Sequence, residues 1–469
     1  MSVMIQLRDY QLDMVSRVKS GMRQHKWQLL QLATGGGKTF TAGHMIDAAR
    51  QKGNICYFLV PRRELLKQTA ESYASVGIPF SYIAAGYTYN PFSRVQLCTV
   101  GSLARRLDQV DPPKLIFVDE THFGSNQLGQ IIQWAKDNGA YGIGLSATPS
   151  RTDGRGLGMW YDNMIEGPSM GDLIERGQLS EYRLFGIDSP DMTGIRTVAG
   201  DYAKGQLADK MEQDRVLVGS AVSHYRNHAM GRLNVAFCAS VKHAEIVASS
   251  FRDGGIPAAC IHGGQDDGER ARLIKAFARR ELLVLTSCQL LSFGFDLSSA
   301  AQMDVTVECI SDLQPTQSLA MQLQKYGRAL RKKDYPALIF DHAGNAMRHG
   351  FPDDDRDWTL ADKEKKKGGN SEPTLPVRQC HECYFVHRPS PTCPNCGFEY
   401  PVSGREIEEV EGELQELERD HERKQERQQQ GMAKTYPELV ALAVMKGYRN
   451  PHGWASKVLQ GREKKHASG

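Results

Sequence analysis

The sequence predicts an α/β protein: two tandem lobes, each a parallel sheet covered by helices, then a small cysteine-anchored module and a helical C-terminal segment. Three observations predict it. Strand-sized apolar runs alternate with helix-sized segments between Leu29 and Leu145, and the alternation restarts near Leu233. After Gly350 the composition turns strongly charged and a cluster of four cysteines appears. At 469 residues, 40% hydrophobic and 24% charged, the chain is too long for one ordinary core and suits two or three.

The first lobe is expected over residues 1–185. Strands are expected at 29–32, 55–60, 95–100, 115–118 and 141–145, with helices at 39–50 and 62–73. Strands separated by helices of this size form a parallel sheet buried on both faces. The second lobe, expected over 186–355, has strands at 235–237, 258–261, 282–286, 304–309 and 337–340 and helices at 243–251 and 268–279. Residues 188–201, rich in Gly, Asp, Ser and Pro, read as the connecting loop. Residues 356–376 form a charged linker ending in Gly368-Gly369, and the cysteine module follows over 377–402. Residues 403–431 are almost wholly charged or Gln, with Ile407, Val410, Leu414 and Leu417 at helical spacing. That pattern fits a solvated helix joining two modules, or a short coiled coil. Residues 432–469 form a basic helical tail with seven Lys/Arg against two Glu.

A net charge of +3 decides little, because basic groups can concentrate in one groove while the total stays near zero. The apolar runs are far short of a membrane span and the N-terminus lacks a signal pattern, so a cytoplasmic, membrane-free protein is expected.

Between the first strand and its helix stands Ala33-Thr34-Gly35-Gly36-Gly37-Lys38-Thr39. Such a loop converges backbone N–H groups on a phosphate, with Lys38 reaching the terminal phosphates and the Thr39 hydroxyl on magnesium. The apolar strand at 115–118 ends in Asp119-Glu120. Asp119 suits magnesium, through water, and Glu120 suits orienting and deprotonating an attacking water. Gln324-x-x-Gly327-Arg328-x-x-Arg331 lies in the second lobe, where Arg331, with Arg328 beside it, suits an arginine finger on the γ-phosphate. With acid and finger on different lobes, hydrolysis depends on closure.

These blocks, with Arg8-Asp9-Tyr10-Gln11, Asp119-Glu120-Thr121-His122 and Ser146-Ala147-Thr148 in this order, resemble the superfamily 2 helicases and translocases. The glycine loop lacks the first glycine of the strict phosphate-loop string, Leu32 standing there, yet fits the superfamily's Thr-Gly-x-Gly-Lys-Thr form. The third residue of the acid tetrad, Thr121, is more often Ala or Cys in the family. The resemblance implies two RecA-like lobes with ATP and magnesium between them. It implies that Arg8 and Gln11 read adenine, and that His122, Ser146 and Thr148, with Gln324, couple hydrolysis to a bound strand. It implies backbone contacts to nucleic acid from Arg62, Arg63, Thr99, Ser102 and Thr286, and nucleotide contacts from Gly294 and Asp296.

The ending Gly294-Phe295-Asp296, the segment Leu313-Gln314-Pro315-Thr316-Gln317-Ser318, and Asp341-His342-Ala343-Gly344-Asn345 running into His349-Gly350 resemble RadD-type DNA repair ATPases and related phage helicases. This narrower resemblance implies an ATP-dependent helicase or translocase on single-stranded or branched DNA, in a bacterial or phage-infected cell. It implies a role in repair, recombination or replication. A DNA-stimulated ATPase that does not separate strands, an RNA helicase, and a clamp switched by ATP stay as alternatives.

Cys380-x2-Cys383-x9-Cys393-x2-Cys396 has the spacing of a zinc ribbon. Each Cys-x2-Cys turn brings two thiolates to one face, and two turns complete a closed, structural tetrahedral site. Disulfides are disfavoured in a cytoplasmic chain. His381 stays as a substitute ligand. The ribbon either grips DNA or docks a repair or replication protein, and the tail with Tyr448 and Trp454 either binds DNA or packs as a helical hairpin. The other six cysteines, Cys56, Cys98, Cys238, Cys260, Cys288 and Cys309, read as small buried hydrophobes.

Overall fold

The computed structural model describes residues 6–362 apart from 152–153, 187–189, 199, 289 and 292–296, then residues 377–400, and in the tail 433, 435–445, 451–453, 455–456 and 458–459. Gly294, Asp296, most of the expected linker, the expected helix at 403–431, Tyr448 and Trp454 therefore lie outside the described residues. Met1–Tyr400 is one compact unit and Pro401–Gly469 a second.

The first sheet holds β1 (Trp27–Gln31), β2 (Cys56–Val60), β3 (Ser81–Ile83), β4 (Val95–Thr99), β5 (Leu115–Val118), β6 (Tyr141–Ser146) and β7 (Asn163–Glu166), in the order β3-β4-β2-β5-β6-β1-β7. Every pairing in it is parallel. Parallel strands put all their C-terminal ends on one edge, so the glycine loop, Asp119-Glu120 and Ser146 leave the sheet side by side. The apolar runs of β1, β2 and β5 are buried throughout, as strands covered on both faces must be.

The second lobe repeats this with β8 (Tyr182–Gly186), β11 (Asn234–Phe237), β12 (Ala258–Ile261), β13 (Val284–Ser287), β14 (Cys309–Asp312) and β15 (Ala337–Asp341), ordered β12-β13-β11-β14-β15-β8 and parallel throughout. A small hairpin of β9 (Thr197–Val198) and β10 (Asp201–Tyr202) overlaps the end of the segment expected as a connecting loop.

Three expectations shift. The chain already enters the second sheet at Tyr182, ahead of residue 186. The strand expected at 304–309 is β14, whose register pairs Cys309 with Asn234. Val305 and Val307 are buried in the approach to it, and Glu308 stops the ladder from starting earlier by accepting a hydrogen bond from Leu233 N at 2.7 Å. Residues 356–362, expected as the start of a linker, are instead packed on the first lobe. Gly158 N donates to the Leu360 carbonyl at 2.8 Å, Gly156 N to Asp362 Oδ1 at 2.7 Å, and Leu360 joins the apolar cluster of Leu157 and Tyr161. Trp358 and Leu360 supply apolar surface that a free linker has no reason to carry.

In the C-terminal unit the helix Tyr436–Met445 buries Leu439 and Ala443. Among the described residues no helix is long and apolar enough to cross a membrane.

Candidate functional site

The glycine loop runs from the end of β1 to the helix Lys38–Gln51. Gly35 and Gly37 have φ of +86° and +88°, a region that favours glycine, and a Cβ on Gly37 would lie 2.4 Å from Gln11 Nε2, displacing that side chain. The loop is gripped from the helix Asp9–Gly21. Tyr10 Oη and Gln11 Nε2 each donate to the Gly36 carbonyl at 3.0 Å, and Gln11 Oε1 accepts from Arg8 N at 2.9 Å. The element expected to read adenine is thus tied directly to the phosphate loop. Tyr10, part of the Arg8-Asp9-Tyr10-Gln11 block but given no role of its own from sequence, holds the loop beside Gln11. Lys38 Nζ rests 3.4 Å from the Leu32 carbonyl, and Thr39 lies in the first turn of the helix.

Asp119 is buried at the mouth of β5, and its Oδ1 accepts from Glu120 N at 3.0 Å. Burial pushes its carboxyl up to about 7, with Glu120 adding to the rise and Lys38 opposing it. Glu120 has φ +46°, a left-handed conformation that costs a non-glycine residue roughly 1–3 kcal/mol. Its Oε2 lies 3.4 Å from His122 Nδ1. The same nitrogen is 3.0 Å from Ser146 Oγ, which accepts from Thr148 N at 3.1 Å. Burial holds the His122 pKa below the ordinary histidine value, against the pull of Glu120. Glu120, His122, Ser146 and Thr148 therefore form one contiguous chain.

The second lobe meets this edge through the helix Leu319–Ala329. Gln324 Nε2 donates to Glu120 Oε2 at 3.4 Å, and a Cβ on Gly327 would lie 2.7 Å from Thr34 Cγ2. Arg328 is buried and Arg331 half-buried; the Arg331 carbonyl accepts from Ser180 Oγ at 3.0 Å. Positions 324, 327 and 328 recur at three and four residues, on one side of this helix, and turn it towards the first lobe, whereas Arg331 lies beyond the helix end, bridged to Leu179.

Of the residues expected on a nucleic-acid track, Arg62 and Arg63 are exposed at the start of the helix Arg63–Ser75, with the Arg63 guanidinium 5.8 Å over the Tyr87 ring. Thr99 is half-buried at the end of β4. Ser102 and Thr286 do not fit the expectation of direct contact. Ser102 is buried with its Oγ accepting from Ala85 N at 3.1 Å, and Thr286 is buried with its hydroxyl donating to the Ala244 carbonyl at 2.7 Å. Both hold neighbouring backbone rather than face solvent, a distinction that sequence position does not carry.

The four clustered cysteines bring their sulfurs within 4.8 Å of one another. Cys380 and Cys396 are 3.6 Å apart, Cys383 and Cys393 3.7 Å. A tetrahedron with Zn–S of about 2.3 Å has edges of about 3.8 Å, so the cluster fits zinc as it stands. His387 is engaged with Tyr400 Oη and the Arg388 carbonyl, both at 2.7 Å, and His381 is exposed outside the cluster. The ribbon is joined to the second lobe. Gly186 N donates to the Tyr384 carbonyl at 3.0 Å, Gln379 Nε2 to the Gly186 carbonyl at 2.9 Å, and Val386 is buried with Leu184, Tyr326 and Ile339. It covers the free edge of β8.

By sequence, residues 4–151 match the family described as "Type III restriction enzyme, res subunit", and residues 217–333 the "Helicase conserved C-terminal domain". A 51.5 kDa protein of a Lactococcus phage (isolate 7-9) is 30% identical over 398 residues, 84% of this chain and 82% of the phage protein. The Saccharomyces cerevisiae protein named ATP-dependent helicase IRC3 is 27% identical over 357 residues, covering 71% of this chain and 51% of IRC3, so the chain spans about half its length. Among solved structures, a fragment of an HsdR subunit of a type I restriction enzyme from Vibrio vulnificus YJ016 superposes with a TM-score of 0.56 at 17% identity, over 74% of this chain and 66% of that one. At that identity the likeness is one of fold.

Proposed function

The chain belongs to the superfamily 2 helicases, and from that premise we propose that it is an ATP-dependent DNA helicase or translocase whose hydrolysis is switched on when nucleic acid closes its two lobes. The observation that carries the reading is the juxtaposition across the cleft: Gln324 at 3.4 Å from Glu120, and Gly327 against Thr34. The acid of one lobe and the arginine helix of the other meet only when the lobes do.

In this reading the loop amides of residues 34–37 and Lys38 hold the phosphates, and Arg8 and Gln11 hold the adenine. Thr39 and Asp119 hold magnesium, which neutralises charge developing on the phosphate oxygens. Glu120 orients the attacking water and takes its proton. Arg328 and Arg331 bring positive charge to the γ-phosphate as the lobes close. The contiguous run Glu120–His122–Ser146–Thr148 gives a path by which movement of the strand-bound edge reaches the acid. Cys380, Cys383, Cys393 and Cys396 hold a structural zinc. The restriction-subunit family match and the RadD-type pattern support DNA as the substrate; a role in repair, recombination or replication is the setting these imply.

The test is ATP turnover with no nucleic acid, single-stranded DNA, duplex DNA, forked DNA and single-stranded RNA. Stimulation by DNA is expected, and a strand-displacement assay then separates helicase from translocase. Stimulation by RNA alone overturns the substrate, and turnover indifferent to every nucleic acid overturns the motor.

A further inference from the structure

The helix Leu319–Ala329 is buried nearly all round: nine of its eleven residues are buried, and one of them is a lysine. Lys325 and Asp312, at the end of β14, are each 0% exposed, with Nζ 2.5 Å from Oδ1. Lys325 Nζ also donates to the Gln314 carbonyl at 3.1 Å, and Asp312 Oδ2 accepts from Asn345 Nδ2 at 2.9 Å. The pair is therefore compensated on both sides. A buried ion pair is a poor source of stability, because apolar side chains of similar volume serve as well or better. What it supplies that apolar contacts do not is direction.

Direction matters on this helix. Gln324 and Gly327 meet the first lobe and Arg328 shares their side of the helix, whereas Gln322 and Lys325 lie on the other flank, Gln322 Nε2 donating to the Gly350 carbonyl at 3.3 Å. The ion pair is referenced to three further segments of the second lobe. Asn345 Oδ1 accepts from Thr316 N at 3.0 Å, and Thr316 Oγ1 donates to Asp201 Oδ2 in β10 at 2.7 Å. Rotation of the helix about its own axis would break this network along with the apolar packing of Leu323 and Tyr326.

We propose that the Lys325–Asp312 pair is the positioning device of the arginine helix, fixing its rotation so that Gln324 and Arg328 are presented to the first lobe when the lobes close. The proposal rests on the motor reading above. Lys325 itself points away from the cleft and acts only through its helix, so it is a positioning residue. It governs turnover and not nucleotide affinity, which the first lobe provides.

The test replaces both charges at once, Lys325→Met with Asp312→Leu, so that no unpaired charge stays buried; Asn345 Nδ2 keeps the Gln314 carbonyl at 2.9 Å as acceptor. Affinity for a non-hydrolysable ATP analogue and KM for ATP should stay within about threefold of wild type, while kcat falls roughly 10- to 100-fold, as a small misplacement of a reacting group produces. A folded double variant with kcat within twofold of wild type overturns the proposal, as does an equal change in affinity and kcat. Asp312→Asn keeps the shape and most hydrogen bonds and covers the case in which the double variant does not fold. Its kcat should fall at least about fivefold with KM unchanged, and wild-type kcat here again overturns the proposal. Wild-type protein run alongside separates the two ideas. If DNA does not stimulate it, the motor reading fails, and the same kcat ratio on unstimulated turnover still decides the positioning role.

Discussion

Glu120 stands in left-handed backbone with its carboxylate 3.4 Å from both His122 Nδ1 and Gln324 Nε2, so its role is sensitive to loss of charge with shape retained. Glu120→Gln is expected to lower DNA-stimulated turnover about 10²- to 10⁴-fold while nucleotide binding persists, measured as phosphate release beside analogue affinity. Lys38→Ala should instead lose binding together with turnover, because the ammonium group serves the ground state as well. Gly327→Ala is a steric test: its Cβ would stand 2.7 Å from Thr34 Cγ2, so the lobes cannot close as they do here. A fall in kcat of about tenfold or more, with an unchanged melting temperature, is expected. At this scale the sequence was most legible where chemistry demands a residue type, as at Lys38, Glu120 and the four cysteines. It was least legible for Ser102 and Thr286, whose hydroxyls turn inward to backbone groups, and for Lys325, whose burial no local pattern announces.

Among elements, the four-cysteine ribbon is joined to the second lobe in a way its spacing does not announce. It caps β8 through Tyr384, Gln379 and Val386, and Arg388 reaches Asp354 at 2.8 Å. Cys393→Ser, or chelation, should therefore do more than unfold the ribbon. Exposing Val386 alone costs about 2 kcal/mol, so the melting temperature of the Met1–Tyr400 unit should drop by several degrees as zinc is lost. Zinc content and thermal unfolding on the same sample check this, and loss of zinc with no thermal change would return the ribbon to the status of an independent module. The long buried strands were readable because an apolar run of four or five residues has few other uses. The edge strands Ser81–Ile83, Asn163–Glu166 and Tyr182–Gly186 were not, since they are only partly buried and carry no continuous apolar run.

At the scale of the whole unit of residues 1–400, the lobes are joined by the chain entering β8, by the contacts across the cleft, and by residues 356–362 returning to the first lobe. On the outer side Lys67 pairs with Asp267 at 3.0 Å, but both are exposed, and such a pair is worth at most about 1 kcal/mol. The returning segment carries more. A Cβ on Gly156 would lie 2.1 Å from the Leu360 carbonyl, so Gly156→Ala must push the segment off. Limited proteolysis is expected to gain a cleavage between residues 356 and 362 in that variant, and an unchanged digest would show that the segment yields without leaving. The segment also walls a cavity of about 220 Å³ bounded by Thr34, Thr148 and Leu323, which places it beside the groups that link the two lobes. By itself the sequence determined the two parallel-sheet lobes, the order of the glycine-loop, acid and arginine blocks and the four-cysteine cluster, because burial periodicity, phosphate geometry and tetrahedral ligation each impose a residue type at a fixed spacing. Only the tertiary structure decided the cross-lobe contact of Gln324 with Glu120, the buried anchoring of Lys325, the docking of the ribbon and the return of residues 356–362. These join residues far apart in the chain, and the physical terms that place them, desolvation and close packing, are properties of assembled surfaces and leave no local spacing to read.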